Sequence, residues 1–158
     1  MDLKTRNNII TIVLAVLIVV LSWFLYRSLV EPYQRVIEEE QMVERERYRM
    51  ELVRDVLVQY ERRRGNFPPT EGGLDSLVSF LKTDSLMTAR GDSMFTFMEP
   101  STYNPDSIVY SPRPPHSKFE YTFNDTIRPT LYLLENPNSE DAIGSLERTT
   151  LRNAPNWN

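Results

Sequence analysis

From Ile9 to Tyr26 the chain is apolar at every position except Thr11 and Ser22. A run of this length matches the roughly 17–25 residues that cross the ~30 Å hydrocarbon layer of a bilayer. Lipid offers no partners to backbone N–H and C=O groups, so a spanning segment of this kind is committed to a helix. The two hydroxyls are tolerable because they can bond back to the helix's own carbonyls. Trp23 and Tyr26 stand at the far end, where amphipathic rings favour the headgroup level. A buried helix of a soluble protein is the competing reading, and the length of the run argues against it. A cleaved signal peptide fits less well. Its apolar core would be ~7–15 residues, and Ser28, Leu29 and Val30 supply no small-x-small site. Lys4 and Arg6 precede the run, which places the N-terminus in the cytoplasm, although Arg27 beyond it weakens the bias. The expectation is an uncleaved signal anchor. Residues 1–8 are then cytoplasmic, 9–27 transmembrane, and the remainder extracytoplasmic.

Residues 28–65 read as a helical stalk. Pro32 suits a first helical turn. Val36, Val43, Met50 and Leu57 then recur every seven residues, joined later by Val53 and Tyr60 at the second seam position. Glu39 and Glu46 hold that second position earlier, so a sustained coiled coil is not supported. Glu38 to Arg49 is charged nearly all round and is expected to be solvated. Met50 to Tyr60 widens into an apolar face that must pack on something. Arg62, Arg63 and Arg64 close the helix where basic groups suit the negative end of its dipole.

Gly65 and Pro68-Pro69 end the stalk and open a domain over residues 66–146. Leu74, Leu77, Val78 and Leu81 predict a short amphipathic helix over Leu74 to Leu81. Thr83 to Ser107 reads as irregular, with Met94 to Met98 as a candidate strand. Three better strands follow at Ser107 to Tyr110, Lys118 to Asn124 and Thr130 to Glu135, the middle one alternating Phe119, Tyr121 and Phe123 with polar residues. Pro112, Pro114 and Pro115 mark one connection and Asn124-Asp125 the next. The fold class is α+β: a transmembrane helix continuing into an amphipathic stalk helix, packed on a small antiparallel sheet. Residues 147–158 read as an extended tail, with Trp157 as an anchor on the domain or on a partner.

Little in the chain suggests catalysis. There is no Cys, which removes disulfides, thiolate metal sites and a Cys nucleophile. His116 is the single His and lies in a Pro-rich turn, leaving no basis for a His-based triad or metal site. A net charge of −4, with basic residues interleaved among acids, excludes a phosphate-tracking nucleic-acid surface. Asp84 with Asp92 lacks a defined cleft, and Gly72-Gly73 is not followed by the Gly-Lys-Ser/Thr of a phosphate loop.

At the end of the stalk, Val56-Leu57, Tyr60, Gly65, Phe67-Pro68, Thr70, Gly73-Leu74 and Leu77 resemble the signature of the major pseudopilin of type II secretion. Arg64, Phe67, Pro69 and Gly72 stand where that family has Asn, Tyr, Thr and Gln. The resemblance implies a pilin-like fold, with a transmembrane helix continuous with a long amphipathic helix against a C-terminal sheet. The chain departs from the family at its N-terminus. No Gly precedes the apolar run and no acidic residue lies within it, so the prepilin peptidase site and the assembly Glu are missing. The expectation is therefore a permanently anchored, non-catalytic subunit of a secretion- or pilus-like envelope complex. Its partners would be the bilayer and other envelope proteins, reached through the transmembrane helix, stalk and domain.

The family also binds calcium in a C-terminal loop. Glu140 and Asp141, with Glu135, Asn136 and Asn138 nearby, offer hard oxygen ligands in a comparable place. A solvated acidic turn is the plainer reading. A calcium- or ligand-binding module is thus the alternative function, with no other cofactor expected. Asp followed by Ser or Thr and then an aliphatic residue or Met recurs along the domain, resembling a bacterial O-glycosylation sequon with acceptors at Ser76, Ser85, Ser93, Ser107 and Thr126. Such pairs are also ordinary turn and N-cap dipeptides, and capping explains Asp75-Ser76 in particular.

Overall fold

The computed structural model describes residues 3–157; Met1, Asp2 and Asn158, the outermost residues of the N-terminal segment and the tail, lie outside them. The fold is α+β. Helices α1 (Leu3–Arg64), α2 (Gly73–Thr83) and α3 (Ser85–Met94) precede strands β1 (Glu120–Asn124), β2 (Leu131–Glu135) and β3 (Ala142–Gly144) and a 3₁₀ turn at Thr149–Leu151. The chain divides into two compact units, Met1–Gln41 and Met42–Asn158.

The first unit is helical throughout its described length. Its apolar side chains from Ile9 to Tyr26 are exposed, Val19 by 68 % and Phe24 by 67 %. The helix is long and apolar enough to cross a membrane. Thr11 Oγ1 donates to Asn7 O at 2.9 Å, the back-bonding that makes a hydroxyl tolerable in such a run. Pro32 does not open a new helix; α1 runs through it, giving up only the backbone hydrogen bond that a Pro nitrogen cannot donate.

In the second unit, the C-terminal turns of α1 form the core. Met50, Val53 and Leu57 recur at helical spacing and are fully buried, with Leu52 and Val56 widening the stripe. Against them pack Leu74, Leu77, Phe80 and Leu81 of α2, and Tyr121, Tyr132, Leu134 and Ile143 of the sheet. Phe67 meets the Tyr132 ring edge-on at 4.9 Å, and Tyr60 meets Phe80 at 5.2 Å. Offset aromatic pairs of this kind add about 1 kcal/mol beyond their burial.

The sheet has the order β1-β2-β3, all antiparallel, with Tyr121 opposite Leu134 and Leu134 opposite Ile143. The central strand β2 is buried on both faces, with Leu131 on one and Tyr132 and Leu134 on the other. Beyond β3 the C-terminal segment lies as a further edge. Gly144 N donates to Ala154 O at 3.0 Å, Asn156 N to Ala142 O at 2.9 Å, and Ile143 bridges Pro155. Trp157 packs against the core and under the Arg47 guanidinium, 5.4 Å from the ring centroid.

Three expectations fail for physical reasons. Ser107 to Tyr110 is a turn rather than a strand: Ser107 N donates to Asn104 O and Tyr110 N to Ser107 O, local bonds that take N–H groups a ladder would need. Only Tyr110 makes a bridge, to Lys118. Met94 to Met98 is not a strand either; Phe95 and Phe97 alternate inward, but they plug the core without a strand partner. The stretch from Thr83 to Ser107 is not all irregular, since Ser85–Met94 is helical. Its interior buries only Met87 and Gly91, too sparse an apolar face to register as periodic.

Gly144 sits at φ +93°, and a Cβ there would overlap the Tyr132 carbonyl oxygen. Both objections concern backbone, which cannot turn aside as a side chain can. Gly144→Ala is expected to cost about 3 kcal/mol and to loosen β3 together with the C-terminal edge; urea unfolding with near-UV circular dichroism measures it.

Candidate functional site

The solvated middle expected of the stalk is not what α1 builds within the second unit. Glu46 is 3 % exposed and Arg49 6 %. They lie three residues apart on one helical face, against the loop from Ser101 to Ser117. Glu46 is fully engaged. Its Oε1 accepts from Ser111 Oγ at 2.7 Å and from Asn136 Nδ2 at 3.3 Å, and its Oε2 accepts from Arg113 Nε at 2.8 Å. Ser111 Oγ also receives the Arg113 N–H at 3.1 Å. The cluster ties α1 to two segments 65 and 90 residues away, and every member is itself buried or half-buried. Such a network is stable only when each polar atom is matched.

Arg49 has other partners. Its guanidinium lies over the Phe97 ring, 3.5 Å from the centroid, and one Nη1–H donates to Ser107 O at 2.9 Å. Burial pushes its pKa down to about 10, so it remains cationic at neutral pH. It floors an open cleft of about 480 Å³ bounded by Phe97, Ser107, Tyr110, Ser111 and His116. His116 adopts φ +61° in the Pro-rich turn, and its Nδ1 lies 3.0 Å from Ser111 O, so that nitrogen carries the proton. On the rim, Asp106 is paired with Lys82 at 2.5 Å. The hydroxyl of Ser111 is spent on Glu46 and that of Ser107 on Asn104 O.

The residues that resemble the pseudopilin signature form one packing module. Gly65 ends α1 at φ +85°, its N–H reaching Glu61 O at 2.7 Å. Phe67, Leu74 and Leu77 enter the core beside the half-buried Tyr60. Pro68 O accepts from Tyr121 Oη at 2.9 Å, and Thr70 Oγ1 accepts from Phe123 N at 3.0 Å, so the turn is stitched to β1. Gly73 opens α2, buried against the Tyr121 ring.

The acidic loop is organised around a cation already in the chain. Asp141 accepts from Arg47 through both oxygens, at 3.0 and 3.1 Å, while Glu140 is exposed and uses its carbonyl for Asn156 Nδ2. Calcium at Asp141 would have to displace that guanidinium. Among the described residues, no three His, Asp or Glu side chains gather in a group able to hold a metal.

Of the five sequon hydroxyls, Ser85, Ser93 and Thr126 are exposed, and Ser76 and Ser107 are half-buried. Asp75 is not a helix cap: α2 is preceded by Gly72, and Asp75 in its first turn pairs with Lys118 at 2.5 Å. Asp84 is the cap, accepting from Leu86 N and Met87 N at the start of α3. Partial burial works against the Asp84 carboxylate, but hydrogen bonds from Arg63, Met87 and Leu86 outweigh it and hold its pKa below the ordinary value. A depressed carboxylate stabilises the fold above its unfolded pKa, and that contribution is lost as the pH falls through the folded value. The acid limb of stability below about pH 4 is therefore expected to be shallower in Asp84→Asn than in the native chain, read from urea midpoints against pH.

Compared with family models, with characterised proteins and with solved structures, the chain shows no match in any of the three.

Proposed function

We propose that this chain is a single-pass, membrane-anchored, non-catalytic assembly subunit of a bacterial envelope complex of the secretion- or pilus-like kind, with its N-terminus cytoplasmic and its domain periplasmic. The observation that carries the reading is the pairing of two features on one helix. Its first part exposes apolar side chains continuously from Ile9 to Tyr26. Its last turns supply the buried stripe Met50, Val53 and Leu57 around which the domain is built. The helix that carries the apolar run thus also supplies part of the domain's core. The packing of Tyr60, Gly65, Phe67, Pro68, Thr70, Gly73, Leu74 and Leu77 into one module supports the pseudopilin resemblance. The absence of acidic residues between Ile9 and Tyr26 argues for a fixed anchor instead of a polymerising subunit.

Topology is tested in intact cells. Single Cys residues placed at Thr5 and at the exposed Glu71 are labelled with a membrane-impermeant maleimide, on a chain that has no Cys of its own. The reading requires labelling at position 71 and protection at position 5 until the inner membrane is opened. Labelling at position 5 in intact cells, or at neither position once the outer membrane is permeable, contradicts it.

A further inference from the structure

We propose that the cleft over Arg49 is a binding site for a carboxylate group. Arg49 is a cation withdrawn from water without a counter-charge. Among the described residues, its guanidinium has the Ser107 carbonyl and the Phe97 ring as partners and no carboxylate. Glu46, one turn earlier, has given its oxygens to Ser111, Asn136 and Arg113. A buried, unpaired charge is costly, and a ligand carboxylate would supply the missing partner. Among the described residues one of its five N–H donors is engaged, and the planar fork matches two carboxylate oxygens.

The surroundings favour a singly charged anion on an organic body. One cation floors the cleft, and the rim carboxylate of Asp106 is already neutralised by Lys82 at 2.5 Å. A phosphate dianion would leave one negative charge uncompensated beside Asp106. The flat stack on Phe97 fixes the fork, while Tyr110 and Pro112 give apolar walls and Ser101 a hydroxyl at the mouth.

The test uses the full-length, ¹⁵N-labelled chain in detergent micelles, titrated with sodium acetate against sodium chloride at constant ionic strength. The Arg49 Nε–H resonance and the amides from Ser101 to Ser107 are followed. A saturable shift with half-saturation at about 10 mM or below is expected, and at least tenfold weaker binding in Arg49→Met. Should that variant fail to fold, the Nε–H resonance of the native chain gives the same reading. An N-acetylated Ala-Ala-Phe peptide, with a free or an amidated C-terminus, then separates the sources. Tighter binding of the free acid than of acetate identifies a chain terminus as ligand, and binding of acetate alone identifies a small carboxylate. No saturable shift, equal binding of the amide, or tighter binding of inorganic phosphate than of acetate overturns the assignment.

Discussion

Glu46→Ala is expected to lower the melting temperature of the domain by about 10–15 °C. The carboxylate is 3 % exposed and accepts from three donors belonging to Ser111, Arg113 and Asn136. Truncation removes none of those donors. It leaves a guanidinium and an amide facing a cavity, and breaking a buried charged network by deleting one partner costs about 3–5 kcal/mol. Net stabilities are only about 5–15 kcal/mol, so the loss is a large share of the total. Glu46→Gln keeps one acceptor oxygen, enough for Ser111 and Asn136 or for Arg113 but not for all three, and should lose roughly half as much. Glu44→Ala, on the exposed face of the same helix, should change stability by less than about 0.5 kcal/mol. Thermal unfolding of the full chain in detergent, followed by near-UV circular dichroism, measures all three. A Glu46→Ala loss no larger than that of Glu44→Ala would show that the cluster does not hold α1 to the loop.

The second large effect concerns the apolar run, the segment proposed to anchor the chain. Leu14 and Leu17 lie near the middle of the apolar run, both more than 45 % exposed. An Arg at the centre of a spanning helix costs about 2.5–3.5 kcal/mol on insertion scales, so Leu14→Arg with Leu17→Arg should cost about 5–7 kcal/mol. That corresponds to a more than thousandfold shift away from the inserted state. After alkaline extraction of membranes, the double variant is expected in the supernatant or in aggregates, and the native chain in the pellet. Val36→Arg, outside the run, is the control and should remain membrane-bound. Retention of the double variant in the bilayer would mean that the run does not span it.

How much of this was legible beforehand depended on whether a residue's fate was set locally. The apolar run declared itself because the demand of lipid is local: every position from Ile9 to Tyr26 is apolar except Thr11, which bonds its own helix, and Ser22. Met50, Val53 and Leu57 were legible through their period, as were α2 and the strands β1 and β2. What stayed hidden was set by distant partners. Glu46 reads as a solvated charge until Ser111 and Asn136 arrive from 65 and 90 residues away. The one sign in the sequence was its place at a seam position that Val53 and Tyr60 fill later on. Arg49 gave no sign, since its burial depends on Phe97, whose alternation with Phe95 imitated a strand. The short strand β3 was masked by the acidic residues before it, which suggested a ligand loop; in the fold Asp141 is the acceptor of Arg47.

In the proposed reading the chain works as an anchored part of a larger assembly. The most direct measurement is gentle detergent extraction of the native-level protein, followed by mass determination of the intact particle and quantification of every protein in it. The expected result is a particle several times larger than one chain, with partners in fixed stoichiometry and cross-links mapping to residues 42–158. A monodisperse single chain, free of partners at every detergent concentration that keeps it soluble, would contradict it.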